Sequence, residues 1–250
     1  MKKNWLLLLL TLLISQTSYA NPTKDEAIKF YNQGVEYLES ENYQKAIAQF
    51  TEAIKLNPSD ADAYYNRGYA QHILEKYQEA SLDYAAAIEL NPDLVEAHAN
   101  YCYALYMLEE YEKAIALCSQ AIELDPENPN YYLNRGNAYD DLGEHQDALE
   151  DYNRAIQLDD TKANFFYNRA LAYNRLGEKV EAIADYTATL QLDPDVAEAY
   201  YNRGVTYLEL EELELGIADL ERAAELFKQN GKQENYQKVE RLLKTLLTEN

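Results

Sequence analysis

The chain has 250 residues, 47% of them hydrophobic and 26% charged, with 44 acidic against 22 basic side chains and a formal charge of −22. A surface so acidic repels nucleic-acid phosphates and anionic lipid headgroups, which argues against binding to either. Two cysteines and three histidines are too few for a disulfide scaffold or a four-thiolate zinc site, and 8 Gly with 6 Pro leave little room for flexible linkers or a turn-rich β fold.

Reading from the start, Lys2 and Lys3 precede an apolar run from Trp5 to Leu10 that continues, with one Thr, to Ile14. The polar stretch after it ends in Ser18-Tyr19-Ala20, with small residues at the −3 and −1 positions of a cleavage site. This pattern predicts a Sec-type signal peptide over 1–20, removed after Ala20. An uncleaved anchor is disfavoured, because the apolar run falls well short of the roughly 20 residues that span a bilayer. The expected product is exported, to the bacterial periplasm or, as second choice, by secretion, with no transmembrane segment in the mature chain. There disulfides persist. Thr23-Lys24-Asp25-Glu26 then reads as a capping box opening the first helix.

From that point the sequence repeats itself. Asn32, Asn66, Asn100, Asn134, Asn168 and Asn202 follow one another at a period of 34, as do Ala46, Ala80, Ala114, Ala148 and Ala182, continued by Gly216. Pro58, Pro92, Pro126 and Pro194 keep the same interval, with Asp160 where a proline is missing. Six units, starting at 27, 61, 95, 129, 163 and 197, run to Asn230 without insertion or deletion. Each reads as two helices. In the second unit Tyr64, Gly68 and Gln71 share one helical face, and Ala80, Tyr84, Ala87 and Ile88 share the next. The proline is expected to end the second helix. After Gly231, the residues Tyr236, Val239, Leu242, Leu243, Leu246 and Leu247 form one apolar stripe, which predicts a terminal helix covering the last repeat. The division is therefore 1–20 signal peptide, 21–231 repeats and 232–250 capping helix.

The recurring aromatic, Gly or Ala, Tyr, Ala, aromatic, Ala and Pro positions resemble the tetratricopeptide repeat family. The resemblance implies an all-α, right-handed superhelical solenoid of helical hairpins. It says little about function, because fold does not fix function.

Two further columns carry structural expectations. Arg67, Arg135, Arg169 and Arg203 are each followed sixteen residues later by Asp83, Asp151, Asp185 and Asp219, while the other units hold Gln33 with Gln49 and Tyr101 with Leu117. Arginine and aspartate come and go together, which predicts a structural, bidentate pair between the two helices of a unit rather than an anion-binding stripe. Cys102 replaces the small glycine of the third unit and Cys118 its aromatic. In an exported protein these facing positions predict a disulfide, the alternative being two buried thiols.

The asparagine column is the candidate site. An amide offers both donor and acceptor, so Asn32, Asn66, Asn100, Asn134, Asn168 and Asn202 are suited to grip an extended main chain whatever its side chains. The family resemblance implies that this column lines the concave face and that such ladders there hold peptides. The other reading is that the amides tie one repeat to the next. Tyr31, Tyr65, Tyr167 and Tyr201, one residue before the ladder, and Tyr69 and Tyr103, three residues after it, are expected on the same face, as peptide or sugar contacts or as packing. Some relatives bind a carboxylate through added cations on this face, but Tyr31, Glu96 and Asn100 stand in those places here.

No catalytic constellation, metal site or cofactor is expected. His98 reads as a core residue, His72 as reaching the groove, and His145 as standing in for Tyr43, Tyr77 and Tyr111. Asp140, Asp141, Glu144 and Asp147 read as a solvated acidic face. The expectation is a non-enzymatic protein-interaction module for an extended, perhaps basic, segment of another protein. The alternative is a glycan- or peptidoglycan-binding module that uses the tyrosines.

Overall fold

The computed structural model describes residues 22–248; the signal peptide predicted over 1–20 lies outside them. Among the described residues there are thirteen α-helices and no strand. They pair as α1 (Pro22–Glu39) with α2 (Tyr43–Leu56), α3 (Ala61–Ile73) with α4 (Tyr77–Leu90), and α5 (Val95–Met107) with α6 (Tyr111–Leu124). Three more pairs follow: α7 (Pro129–Leu142) with α8 (His145–Leu158), α9 (Ala163–Leu176) with α10 (Lys179–Leu192), and α11 (Ala197–Glu209) with α12 (Leu213–Gln229). A single helix, α13 (Gln233–Thr248), closes the stack.

The turn inside every hairpin is the same device. One residue takes the left-handed conformation, namely Glu41, Glu75, Glu109, Gly143, Gly177 and Glu211 in the six units. The next residue donates its N–H back over the turn, as in Asn42 to Tyr37 (2.8 Å), Lys76 to Gln71 (2.9 Å) and Glu144 to Tyr139 (2.9 Å). This Schellman closure satisfies the last carbonyls of each first helix and reverses the chain. Between units the second helices α2, α4, α6, α8 and α10 all stop at a leucine, including α8, which has Asp160 in place of proline. There the Asp159 carboxylate accepts from the N–H (2.9 Å) and hydroxyl (2.6 Å) of Thr161, making the turn without a proline ring. In the last unit Lys228 takes that place and α12 runs on to Gln229. Proline is thus sufficient for this turn but not required. The first helix also departs from expectation: α1 already includes Pro22, so Thr23 lies inside it rather than capping it. Proline is well placed in a first helical turn, where its missing N–H has no partner to lose.

The alanine column is fully buried at the crossing of each pair, and the small residue of the first helix lets an aromatic of the second helix pass beneath it. A Cβ added to Gly136 would sit 2.7 Å from the Tyr152 ring, and one added to Gly34 would sit 2.6 Å from Phe50. The third unit fills the same gap differently. Cys102 and Cys118 are joined by a disulfide with Cα atoms 5.3 Å apart, both fully buried.

The first helices of successive units also touch one another, α1 with α3, α3 with α5, α5 with α7 and α7 with α9, more than successive second helices do. The stack therefore curves with the first helices on the inside. At its end α13 lays Val239 and Leu243 into a core with Leu220, Ala223 and Phe227, with Tyr236, Leu242 and Leu246 alongside; Leu247 stays exposed. No helix among the described residues is long and apolar enough to cross a membrane.

Candidate functional site

The inner wall is built by the exposed faces of α1, α3, α5, α7, α9 and α11, and its chemistry is set by a few columns held rigid from behind. The arginine column supplies the rigidity. Arg67 donates from Nε (2.7 Å) and Nη2 (2.6 Å) to the two oxygens of Asp83. The same fork joins Arg135 to Asp151, Arg169 to Asp185 and Arg203 to Asp219, all at 2.6–2.8 Å. Each guanidinium also reaches back to the preceding unit, where Nη1 donates to Thr51 (3.2 Å), Ser119 (2.9 Å), Asn153 (2.6 Å) and Thr187 (2.9 Å). Aromatic rings flank the plane, as Tyr132 and Tyr139 do for Arg135. The pair hydrogen bonds raise the affinity of Arg67, Arg135 and Arg169 for their protons, and burial works in the opposite direction. The arginines are therefore staples within and between units.

That third contact was not foreseen. Its signal was present, because Thr51, Ser119, Asn153 and Thr187 stand sixteen residues before their arginines, and Ala85 stands where Tyr101 replaces one.

The asparagine ladder divides into two groups. Asn66 donates to the hydroxyl of Tyr31 (3.0 Å), Asn100 to Tyr65 (3.2 Å) and Asn202 to Tyr167 (3.0 Å), each bond linking neighbouring units. Asn134 and Asn168 would meet the same column at Ala99 and Leu133, which carry no hydroxyl. Their amides, like that of Asn32, have no hydrogen-bond partner among the described residues, and Asn134 and Asn168 are half-buried on the inner wall. Even the tied amides keep a carbonyl oxygen and a second N–H.

The tyrosines divide too. Tyr31, Tyr65 and Tyr167 accept the amide bonds and pack their rings on Phe50, Tyr84 and Tyr186 at centroid distances of 5.7–6.1 Å. Burial, and then the carboxylates of Asp62, Glu96 and Glu198, push their hydroxyls above the ordinary range, Tyr65 to about 12, against the pull of the asparagine bonds. Tyr201 lies beneath Lys238 of α13, whose Nζ is 4.8 Å from the ring centre. Tyr69 stacks on Tyr65 and remains exposed, and Tyr103 stacks on His72 at 5.0 Å.

One member of the acidic group sits differently from expectation. Asp140 is buried, not on a solvated face; its Oδ1 lies 2.6 Å from His145 Nδ1, and Arg175 of the next unit takes its Oδ2. Asp141 beside it accepts the Tyr106 hydroxyl at 2.7 Å. Burial raises the Asp140 carboxyl above its ordinary value, although the His145 bond and the Arg175 charge lower it. His145 thus meets one carboxylate, as part of a strut across three units. His98 Nε2 lies 2.8 Å from the Pro92 carbonyl, the place taken by the Tyr132 hydroxyl on Pro126 one unit later; its Nδ1 is buried without a partner. Among the described residues no cluster of His, Cys, Asp and Glu is arranged to hold a metal ion.

A curved stack of similar hairpins, stapled in four of its six units and presenting a columnar inner wall, defines a helical-repeat interaction scaffold. Tetratricopeptide repeat models match residues 31–94, 103–143, 136–177, 174–211 and 197–230, and the chain belongs to the tetratricopeptide repeat family. No curated protein matches it. Among solved structures it is similar to YrrB, a TPR protein with an unusual peptide-binding site, at 26% identity over 71% of this chain and 91% of that one, with a TM-score of 0.59. It is also similar in fold to pilF of Pseudomonas aeruginosa (18% identity, 88% and 99% covered, TM-score 0.70). MamA from Desulfovibrio magneticus RS-1 shares the fold as well (20% identity, 69% and 97% covered, TM-score 0.65).

Proposed function

We propose that the inner groove holds an extended segment of a partner protein, without catalysis, and that the amides of the fourth and fifth units read its main chain. The observation that carries this reading is the pair Asn134 and Asn168. Both are polar, both stand in mid-helix where asparagine is a mediocre former, and neither has a partner in its own scaffold. Each offers a donor and an acceptor toward the groove. An extended chain advances about 3.3 Å per residue and helices pack roughly 8–10 Å apart, so successive units meet about every third residue of the segment. A sugar ligand is less well served, because Tyr31, Tyr65 and Tyr167 have their rings and hydroxyls engaged with the scaffold. Similarity to a peptide-binding repeat protein points the same way. With 1–20 as an export signal and a buried disulfide, the partner belongs outside the cytoplasm.

Photo-crosslinking tests this. A benzoylphenylalanine at Leu171, in the groove beside Asn168, should capture a protein partner from the envelope fraction, whereas one at the exposed Leu82 of α4 should not. Equal capture from both positions, or capture only of glycan from the groove, would overturn the reading.

A further inference from the structure

One helical turn before the ladder stands a column that sorts with it: Ile28, Asp62, Glu96, Asn130, Asn164 and Glu198. Acidic residues accompany the tied asparagines, Asp62 with Asn66, Glu96 with Asn100 and Glu198 with Asn202. Amides accompany the untied ones, Asn130 with Asn134 and Asn164 with Asn168. The groove thus has two chemistries, carboxylate with tyrosine in the second, third and sixth units, and uncharged amide in the fourth and fifth.

The sixth unit shows what the acidic kind accepts. Lys232 places its Nζ 2.6 Å from Glu198, and Lys238 lies over the Tyr201 ring, so the chain's own C-terminal cations occupy this end of the groove. Asp62 and Glu96 are exposed, and neither has an ion-pair partner among the described residues. Two turns further along the same helix faces stand Tyr69, stacked on Tyr65 and exposed, and Tyr103, half-buried against His72. Exposed carboxylates suit a cation by charge, and the exposed Tyr69 adds an electron-rich ring face.

We infer that Asp62 and Glu96, with the exposed ring of Tyr69 nearby, each seat a lysine or arginine side chain of the bound segment. This assignment rests on the groove reading above and gives the ligand a sequence: two basic residues about three positions apart, followed by a stretch read through its main chain at Asn134 and Asn168. An acidic or phosphorylated segment is repelled from the same end.

Selection from a displayed library of random peptides of about twelve residues tests it, followed by anisotropy titration of a selected peptide and its Lys→Gln counterpart. Wild type should enrich the basic pair and prefer the lysine peptide by about tenfold, less at high salt. The Asp62→Asn/Glu96→Gln variant, altered only at exposed positions, should keep its melting temperature and affinity for the glutamine peptide while losing the preference. Enrichment of peptides without a basic pair, or an undiminished preference in the variant, would overturn this inference and leave the groove reading standing. Failure of wild type to enrich any peptide would overturn both.

Discussion

Arg135 shows how much one side chain does in this fold. It closes a fork on Asp151, reaches Ser119 of the preceding unit and lies between two tyrosines, while Asp151 is almost wholly buried. Removing one partner of a buried pair leaves the other charge uncompensated, so Arg135→Ala should cost about 3 kcal/mol in urea unfolding. Arg135→Lys should recover only part of that, because an ammonium cannot form the fork. Unchanged stability with lost ligand binding would contradict the structural role. His72 gives a test in pH. Burial among Tyr77, Tyr84 and Tyr103 lowers its affinity for a proton below the ordinary imidazole value. A depressed folded value means the contribution is present above about pH 6.5 and lost as pH falls through the folded value. The ring should titrate by NMR below 6.5, and His72→Phe should remove that part of the acid sensitivity; a midpoint at or above 6.5 would contradict it. The arginine–aspartate pairs could be read from the sequence because the two residues come and go together within a unit. The Asn66–Tyr31 tie could not, because it crosses between units at a separation that depends on how the hairpins stack.

At the scale of the hairpin, the turn residue is the clearest lever. Glu75 and Glu109 hold φ near +60°, where a Cβ is crowded, while Gly143 and Gly177 do the same work without strain. Glu75→Gly and Glu109→Gly should each raise stability by about 0.5 kcal/mol, and Gly143→Glu should lower it by a similar amount, measured as shifts in the urea midpoint. The reverse signs would mean that the turn is stabilised by the glutamate side chains. The disulfide belongs to the same scale. It closes a loop of sixteen positions and replaces an aromatic plug, so reduction should cost about 3 kcal/mol. Thiol titration of the unfolded, unreduced protein should find no reactive thiol. Two would contradict the bond. Helix number and spacing could be read from the sequence to within a few residues because every unit repeats the same pattern. The strut from Tyr106 through Asp141 and Arg175 to Asp140 and His145 could not, because Tyr106, Arg175, Asp140 and His145 each differ in kind from their counterparts in the other units.

Across the whole molecule, the repeats give the groove its shape and the exceptions among them decide which of its asparagines are tied. A tyrosine in one unit locks the asparagine of the next into the scaffold, whereas Ala99 and Leu133 leave Asn134 and Asn168 untied. The ladder is therefore tied in the second, third and sixth units and untied in the fourth and fifth. The C-terminal helix shields the last core and fills the sixth position with its own lysines, so the open groove extends from the second unit to the fifth. The most direct test compares two pairs of amides in one binding titration with a library-selected peptide. Asn134→Ala/Asn168→Ala should weaken the peptide about tenfold or more, at about 0.5–1.5 kcal/mol per bond, with the melting curve unmoved. Asn66→Ala/Asn202→Ala should do the reverse, lowering stability while binding changes little. Equal loss of affinity from both pairs, or no loss from the first, would contradict the account.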